Sequence, residues 1–290
     1  MTKVCAITMV YNERNNLPIW LRHYGAQVGL ENCFVLDHGT DDGSTDDLPR
    51  EVNRIRIPRS AQDNKRRTAA INALTNSLLS WYDYAIYSDC DELLVADPRL
   101  YAGLIDFCER EEPEYRTAIG LNVLHDFNAE PALSSESLVS HQRSLCLYVS
   151  PMNKPSLTSV PVHWGVGFHH REKPPLFGGL FLFHLRYADV PRGLQRLDLT
   201  RNVVEWPSEK DGRHQRVSDD QWVAKIEKWL KLPVDREDPW SLEAGALKKH
   251  VEAFTAAAHK PGVSRVYASG PHIGAGLKLL PLPPEFVGAF

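Results

Sequence analysis

The sequence contains no long apolar run. No stretch approaches the roughly 18 apolar residues that a membrane-spanning helix needs. The first ten residues lack the charged start, apolar stretch and cleavage site of a secretory signal. These absences predict a cytoplasmic protein without a transmembrane segment, and they leave contact with a membrane surface open.

The sequence is also poor in cysteine and has no excess of positive charge. Its five cysteines are far apart and include no Cys-x-x-Cys pair, which argues against a zinc knuckle or a disulfide framework and favours a reducing compartment. The net charge is −4, and the one basic cluster is Lys65-Arg66-Arg67. We therefore expect no nucleic-acid partner.

The overall composition is typical of a globular protein, with 43% hydrophobic and 24% charged residues. A chain of 290 residues can form one large α/β domain or a smaller domain with an appendage. The pattern changes after residue 188, where amphipathic helical segments replace the alternation of strands and helices. We expect a first domain over residues 1–188 and a mainly helical extension over 189–290 that packs on the sheet.

Strand and helix patterns alternate through the first part of the chain. The predicted strands are Val4–Val10, Cys33–Asp37, 52–57 and Tyr84–Tyr87, and the predicted helices are 18–27, 61–79 and 98–112. This order predicts an α/β fold with a Rossmann-like, mostly parallel central sheet flanked by helices. In such sheets ligands bind where the carboxyl ends of the strands meet, and three of these strands end in polar or acidic clusters.

The most informative cluster follows the strand Tyr84–Tyr87. Asp89, Asp91 and Glu92 are three acids in four residues, and they repel one another unless a cation lies between them. Carboxylate oxygens suit a hard divalent cation such as Mg²⁺ or Mn²⁺. In a continuing strand, Asp89 and Asp91 would share a face while Glu92 points elsewhere, and Cys90 would point into the core. A solvated acidic turn is the plainer alternative.

Three motifs occur in order within residues 4–95. They read Met9-Val-Tyr-Asn-Glu-Arg14, then Val35-Leu-Asp-His38 followed by Asp41-Asp-Gly-Ser-Thr-Asp46, and Tyr87-Ser-Asp-Cys-Asp-Glu-Leu-Leu-Val95. Together they resemble the family 2 type glycosyltransferases, and among these the branch with an Asp-x-Asp-Glu metal motif. The resemblance implies the GT-A fold and transfer of a sugar from a nucleotide-sugar donor, a UDP-sugar, to a glycan or other hydroxyl acceptor with inversion. In that family the region after residue 188 shapes the acceptor side.

The resemblance also implies roles at the first two strand ends. Val10, Asn12 and Glu13 would frame the nucleotide, with Glu13 near the base or ribose. Asp37 would bind the nucleoside, or Asp42 would do so in a second register. Both registers stay open because this chain has extra residues after Asp37.

At the third strand end, the resemblance implies that Asp89 and Asp91 hold the ribose and the metal, Mn²⁺ or Mg²⁺. His184, near the end of a later strand, would complete the metal site, although a lone histidine in an apolar strand is more often a core residue. Lys65 or Arg66 would reach the diphosphate, unless they form a solvated helix face.

Three further residues are candidates for the chemistry of transfer. Lys154 would neutralise the departing diphosphate. The acceptor hydroxyl must lose its proton to a carboxylate, for which Asp126 and Glu92 are the two candidates.

Two other functions fit the same residues. One is a noncatalytic protein that binds a nucleotide or a sugar. The other is an Asp-x-Asp phosphohydrolase, which uses the first aspartate as a nucleophile. The second is disfavoured because such enzymes carry Thr or Val where this chain has Leu93, and because at least two strands precede the acidic one.

Overall fold

The computed structural model describes residues 2–202, 204–208, 212–237, 239–258 and 274–290. Its strands are β1 (Val4–Val10), β2 (Cys33–Asp37), β3 (Asn53–Arg56), β4 (Tyr84–Tyr87), β5 (Glu92–Ala96), β6 (Tyr115–Leu124), β7 (Leu145–Tyr148), β8 (Lys154–Thr158), β9 (Leu180–His184) and β10 (Leu279–Pro281). Its α-helices are α1 (Leu17–Val28), α2 (Asn64–Leu78), α3 (Leu104–Glu111), α4 (Val190–Asn202), α5 (Asp219–Leu230) and α6 (Gly245–Ala258).

The N-terminal half of the sheet is parallel. β1 lies between β2 and β4, and β3 extends the sheet beyond β2. Successive side chains of β1 point to opposite faces, so Ala6 packs in the core with Trp20 of α1, while Ile7 packs with Ile71 of α2. The predicted α/β fold, with a central sheet flanked by helices, is confirmed.

Beyond β4 the sheet continues through antiparallel neighbours, in the order β4-β8-β6-β7-β10. β9 lies parallel to β6 and also pairs antiparallel with β5. The apolar run of β6 predicts a strand but carries no information on the direction of its neighbours, so this half of the topology was not predicted.

The C-terminal helices pack against one end of the sheet. Leu197 of α4 and Ile226 of α5 form a buried cluster with Leu124 of β6. α5 begins with a capping box, in which Ser218 and Gln221 each accept a hydrogen bond from the other's backbone N–H.

The final residues return to the sheet. The proline and glycine content from Pro271 onward predicts an extended tail; Pro271 itself lies outside the described residues. From Leu279 onward, β10 adds a strand beside β7, and the ring of Phe290 stacks on Phe183 of β9 with centroids 4.0 Å apart.

Two predictions differ from the structure. The acids Asp89 and Asp91 lie in a turn between β4 and β5 rather than in a strand, so strand alternation does not set their directions. The helix expected over 98–112 begins only at Leu104, because the Asp97 carboxylate accepts a hydrogen bond from the backbone N–H of Arg99 at 3.0 Å and holds a turn there.

Every helix in the described part of the chain is too short or too polar to cross a membrane. All five cysteines are free and buried. Cys90 packs in the main core, which confirms the predicted direction of its side chain.

Acid is expected to destabilise the fold through His23 of α1. Its Nε2 lies 2.8 Å from the carbonyl oxygen of Leu94, and burial lowers its pKa from 6.5 to about 4. Because the folded pKa is the lower one, His23 stabilises the fold above pH 6.5, and this contribution is lost as the pH falls toward 4. We expect His23 to account for roughly 2 kcal/mol of the unfolding free energy lost between about pH 7 and pH 5.

Urea unfolding at several pH values should show this loss in the wild type and a smaller loss in His23→Gln. An equal dependence of the unfolding free energy on pH in the two proteins would contradict the assignment.

Candidate active site

A cavity of about 460 Å³ lies at the carboxyl ends of the parallel strands. The loops after β1, β2 and β4 form one wall, and the segment from β9 through α4 to α5 forms the other. The charged side chains that line it are Glu13, Arg14, Asp42, Arg67, Asp89, Asp91, Arg186, Asp189, Arg192 and Arg196, together with His38 and His184. The three strand-end clusters of the sequence therefore meet around one cavity.

The loop after β1 is fixed to the loop after β2. Asn12 has a φ of 54°, in the left-handed region that asparagine tolerates. Its side-chain amide donates to Asp41 Oδ1 at 2.8 Å, and its side-chain oxygen accepts from the backbone N–H of Asp41 at 3.1 Å. Val10 and Asn12 both line the cavity. This wall is therefore braced by side chains as well as by the sheet.

Glu13 points across the cavity to α4. Its Oε1 lies 2.7 Å from Nη2 of Arg196, and Asn16 donates to its other oxygen at 3.1 Å. Burial raises the pKa of Glu13, and Arg196 opposes that shift. Glu13 lines the cavity, but its carboxylate already joins the two walls.

Of the two candidates for the nucleoside carboxylate, Asp42 lines the cavity and Asp37 does not. Asp37 is 0% exposed and accepts hydrogen bonds from the backbone N–H of Thr40 and from Arg54, both at 2.7 Å. Burial alone would raise the pKa of Asp37, but these donors hold it below its usual value. The geometry therefore favours Asp42 for a ligand contact and makes Asp37 a support of the loop.

Asp89 is held by two cations. It accepts hydrogen bonds from the Arg67 guanidinium, from the Tyr87 hydroxyl at 2.8 Å and from Lys154 Nζ at 3.0 Å. Burial alone would raise the pKa of Asp89, but Arg67 and Lys154 hold it well below its usual range. The protein itself therefore balances the charge of this acid.

Asp91, Glu92 and His184 form a cluster suited to a metal ion. Each offers a ligand atom, and these atoms lie within 4.8 Å of one another. Nε2 of His184 lies 3.2 Å from Oδ2 of Asp91. The strand register causes this meeting, since His184 ends β9 directly opposite Glu92, the first residue of β5. Of the three predicted metal ligands, the structure brings Asp91 and His184 together, and Glu92 joins them in place of Asp89.

Asn122 fixes the orientation of His184. The two residues are neighbours in the register of β6 and β9, and His184 Nδ1 lies 2.8 Å from Asn122 Oδ1. Because an amide oxygen only accepts, Nδ1 carries a hydrogen, and Nε2 is the ring nitrogen that faces Asp91 and could bind a metal. Metal-binding histidines are commonly held in this way. A set of two carboxylates and one imidazole nitrogen fits Mn²⁺, and the carboxylates alone fit Mg²⁺.

Asn122→Leu is expected to weaken Mn²⁺ binding by about tenfold to hundredfold, because the imidazole loses the partner that sets its tautomer and direction. Asn122→Asp keeps an acceptor at this position and should retain most of the affinity. Calorimetric titration of Mn²⁺ into the two variants measures the difference, and equal affinities would show that the Asn122 contact does not orient a ligand.

Glu92, Lys154 and Asp126 also lie away from the cavity lining. Glu92 is 1% exposed and Lys154 is 3% exposed, and the two are paired at 2.6 Å. Burial raises the pKa of Glu92, and Lys154 opposes that shift. Asp126 follows β6 in a turn, where it accepts from the backbone N–H of Asn128 at 3.2 Å. Neither acid predicted as catalytic lines the cavity.

The basic cluster at the start of α2 contributes a different residue from those predicted. Lys65 and Arg66 are exposed and do not line the cavity, whereas Arg67 does. The sequence contains a signal for this: an apolar residue, Ile71, lies four residues after Arg67. In the structure Ile71 is fully buried. Residues four apart share a helix face, so Arg67 faces inward.

No protein-family model matches the chain, and no curated protein matches it. Several solved structures do. S. aureus TarS is 12% identical with a TM-score of 0.35 over 89% of this chain and 79% of that chain. The mannosyltransferase PcManGT from Pyrobaculum calidifontis, in complex with GDP-Man and Mn²⁺, is 14% identical with a TM-score of 0.33 over 89% and 76%.

A cytidylyltransferase from Leptospira borgpetersenii serovar Hardjo-bovis is 16% identical with a TM-score of 0.21. That match covers 31% of this chain and only 42% of the cytidylyltransferase. Likenesses this weak carry nothing about function.

Proposed function

We propose that this chain is a metal-dependent glycosyltransferase that moves a sugar from a nucleotide-sugar donor, a UDP-sugar, to a hydroxyl acceptor with inversion. The observation that carries the proposal is the pair Asp91 and His184, 3.2 Å apart on the wall of the large cavity. That cavity lies at the carboxyl ends of parallel strands, where nucleotides bind in sheets of this kind. The motifs that frame it are the ones that resemble the family 2 enzymes.

The two walls suggest how a donor would lie. The loops after β1 and β2 would receive the nucleoside, with Asn12 and Asp42 at that end. Asp91 and His184, with Glu92 behind them, would hold Mn²⁺ or Mg²⁺, which as a Lewis acid neutralises the charge on a departing diphosphate. Arg67 lines the same part of the cavity and adds a fixed positive charge beside the diphosphate.

The acceptor would enter from the side of α4. Its hydroxyl must give up a proton to a carboxylate. Asp189 lines the cavity on this side, and Glu13 reaches it from the loop after β1 through Arg196, whereas Asp126 or Glu92 could act only if the substrate reached beyond the present lining. Inversion follows from the resemblance to the family rather than from the geometry.

Calorimetric binding of UDP, with GDP and ADP as controls, tests the proposal. We expect one nucleotide, UDP, to bind in the presence of Mn²⁺ and to lose affinity when EDTA removes the metal. Absence of nucleotide binding under every condition would contradict the proposal.

The two competing functions give different outcomes in the same preparation. Metal-dependent binding without release of UDP from UDP-sugars, in the presence of a range of hydroxyl acceptors, would indicate a noncatalytic binding protein. Release of inorganic phosphate from a simple phosphate monoester would indicate a phosphohydrolase.

A further inference from the structure

The cavity extends away from the cluster of Asp91, Glu92 and His184 to an end formed by α4, α5 and the described residues Val204, Trp206 and Gln215 between them. The residues that line this α4–α5 end are Arg192, Gly193, Leu197, Thr200, Trp206, Gln215 and Trp222. These lining residues include no carboxylate and several hydrogen-bond donors; the acid beside them is Asp189, which also lines the cavity and accepts from the backbone N–H of Arg192 at 2.9 Å.

Trp222 presents one such donor. It is 1% exposed, and its ring is stacked on Tyr187 with centroids 5.3 Å apart. Within the described ranges its Nε1 has no hydrogen-bond partner. A buried donor left unpaired is unfavourable, so an oxygen atom bound beside the indole N–H would stabilise it.

The backbone of α4 lies directly against this indole. A Cβ placed on Gly193 would be 2.2 Å from Cη2 of Trp222, so only glycine allows the approach. The N-terminal turn of α4 and the indole therefore line the same end of the cavity without a side chain between them.

Arg192, one residue earlier, is a second donor. Its guanidinium donates to the carbonyl oxygen of Leu133 at 2.8 Å, and it makes no ion pair with any acid in the part of the chain that the structure describes. The neighbouring acid Asp189 pairs instead with the buried Arg143 at 3.5 Å. Three other lining arginines each have a carboxylate partner: Arg14 with Asp42, Arg67 with Asp89 and Arg196 with Glu13.

We infer that the α4–α5 end binds an anionic group of the acceptor, a phosphate or a carboxylate carried by a sugar or polyol. Anionic oxygens accept short, strong hydrogen bonds from a guanidinium, and the same group satisfies the indole N–H. That the anionic group belongs to an acceptor rests on the proposed glycosyltransferase function. That an anion binds here rests on Arg192 and Trp222 alone.

The test is calorimetric titration of glycerol 3-phosphate, glycerate and glycerol into the full chain, both alone and with UDP and Mn²⁺ present. We expect at least one of the two anions to bind in both conditions and glycerol not to bind. The tighter anion identifies the group as phosphate or carboxylate. Equal binding of glycerol and the anions, or binding of none of them, would overturn the inference.

Two variants locate the site. Arg192→Gln is expected to weaken anion binding by about tenfold or more, and Trp222→Phe, which keeps the ring and removes the N–H, by roughly fivefold. Lys228→Gln removes an exposed charge from α5 outside the cavity lining and should have no effect. Unchanged anion binding in both Arg192→Gln and Trp222→Phe, with native circular dichroism, would overturn the site.

The outcomes also separate this inference from the proposed function. UDP binding without anion binding overturns the anion site and leaves the glycosyltransferase proposal standing. Anion binding that is sensitive to Arg192→Gln, without binding of any nucleotide, supports the site and overturns the glycosyltransferase proposal.

Discussion

Asp91→Asn is expected to lower transfer activity by about a thousandfold, which corresponds to roughly 4 kcal/mol of transition-state stabilisation. The substitution keeps the size and shape of the side chain and removes its charge. His184 Nε2, 3.2 Å away, then faces a neutral amide, so the cluster loses its principal anionic ligand. Metal-dependent nucleotide binding should be lost together with activity.

The measurement is release of UDP from a UDP-sugar, paired with calorimetric binding of UDP and Mn²⁺. Asp47→Asn is a matched control, because Asp47 is an exposed acid that does not line the cavity, and it should behave as wild type. Retention of Mn²⁺-dependent UDP binding by Asp91→Asn would show that the metal does not bind at this cluster.

Lys154→Met is expected to destabilise the protein by about 3–5 kcal/mol, because removing one partner leaves buried charge uncompensated. Lys154 is 3% exposed and lies 2.6 Å from Glu92 and 3.0 Å from Asp89. Burial alone would lower the pKa of Lys154, and the two carboxylates raise it. The lysine therefore holds together the acidic turn and β8 from beneath the cavity.

Urea unfolding of three variants tests this role. Adding Glu92→Gln to Lys154→Met removes the buried charge that was left behind and should recover part of the loss. Lys173→Met breaks a lysine–glutamate pair of similar length, 2.7 Å to Glu114, in an exposed position, and should cost less than about 1 kcal/mol. A loss no larger in Lys154→Met than in Lys173→Met would rule out a structural role for the buried network.

The parallel half of the sheet was predictable because its signals are local. The segments Val4–Val10 and Cys33–Asp37 are short apolar runs that end in polar turn formers, and the structure has the same bounds for both strands. The expectation that their ends meet follows from parallel topology alone. Local pattern and general topology were therefore enough to place Asn12, Asp42 and Asp91 around one cavity.

The composition of the metal cluster was not predictable, because it depends on the pairing of strands that are distant in sequence. Glu92 joins His184 only through the antiparallel register of β5 and β9, and Asn122 joins it only through the parallel register of β6 and β9. Asp89 is separated from the cluster by its bonds to Arg67 and Lys154. No local pattern in the sequence encodes these pairings.

The choice between Asp37 and Asp42 shows a related limit. Both acids fit the family motif, and only the contacts of Arg54 and Thr40 with Asp37 show which carboxylate is already used by the fold. A motif gives the order of residue types along the chain, whereas the availability of a carboxylate depends on which donors the fold brings to it.

The stacking of Phe290 on Phe183 has a consequence for the order of events during synthesis. Phe183 precedes His184 in β9, and its ring packs against a residue that the ribosome adds more than a hundred positions later. Ser140 is tied to the same late residue, since its hydroxyl donates to the carbonyl oxygen of Phe290 at 2.6 Å. A nascent chain that has emerged only as far as β9 therefore carries all three members of the metal cluster but lacks the aromatic contact behind them. The packing behind Asp91, Glu92 and His184 is therefore complete only once residue 290 has been added, although these three residues lie beside β1, near the start of the chain.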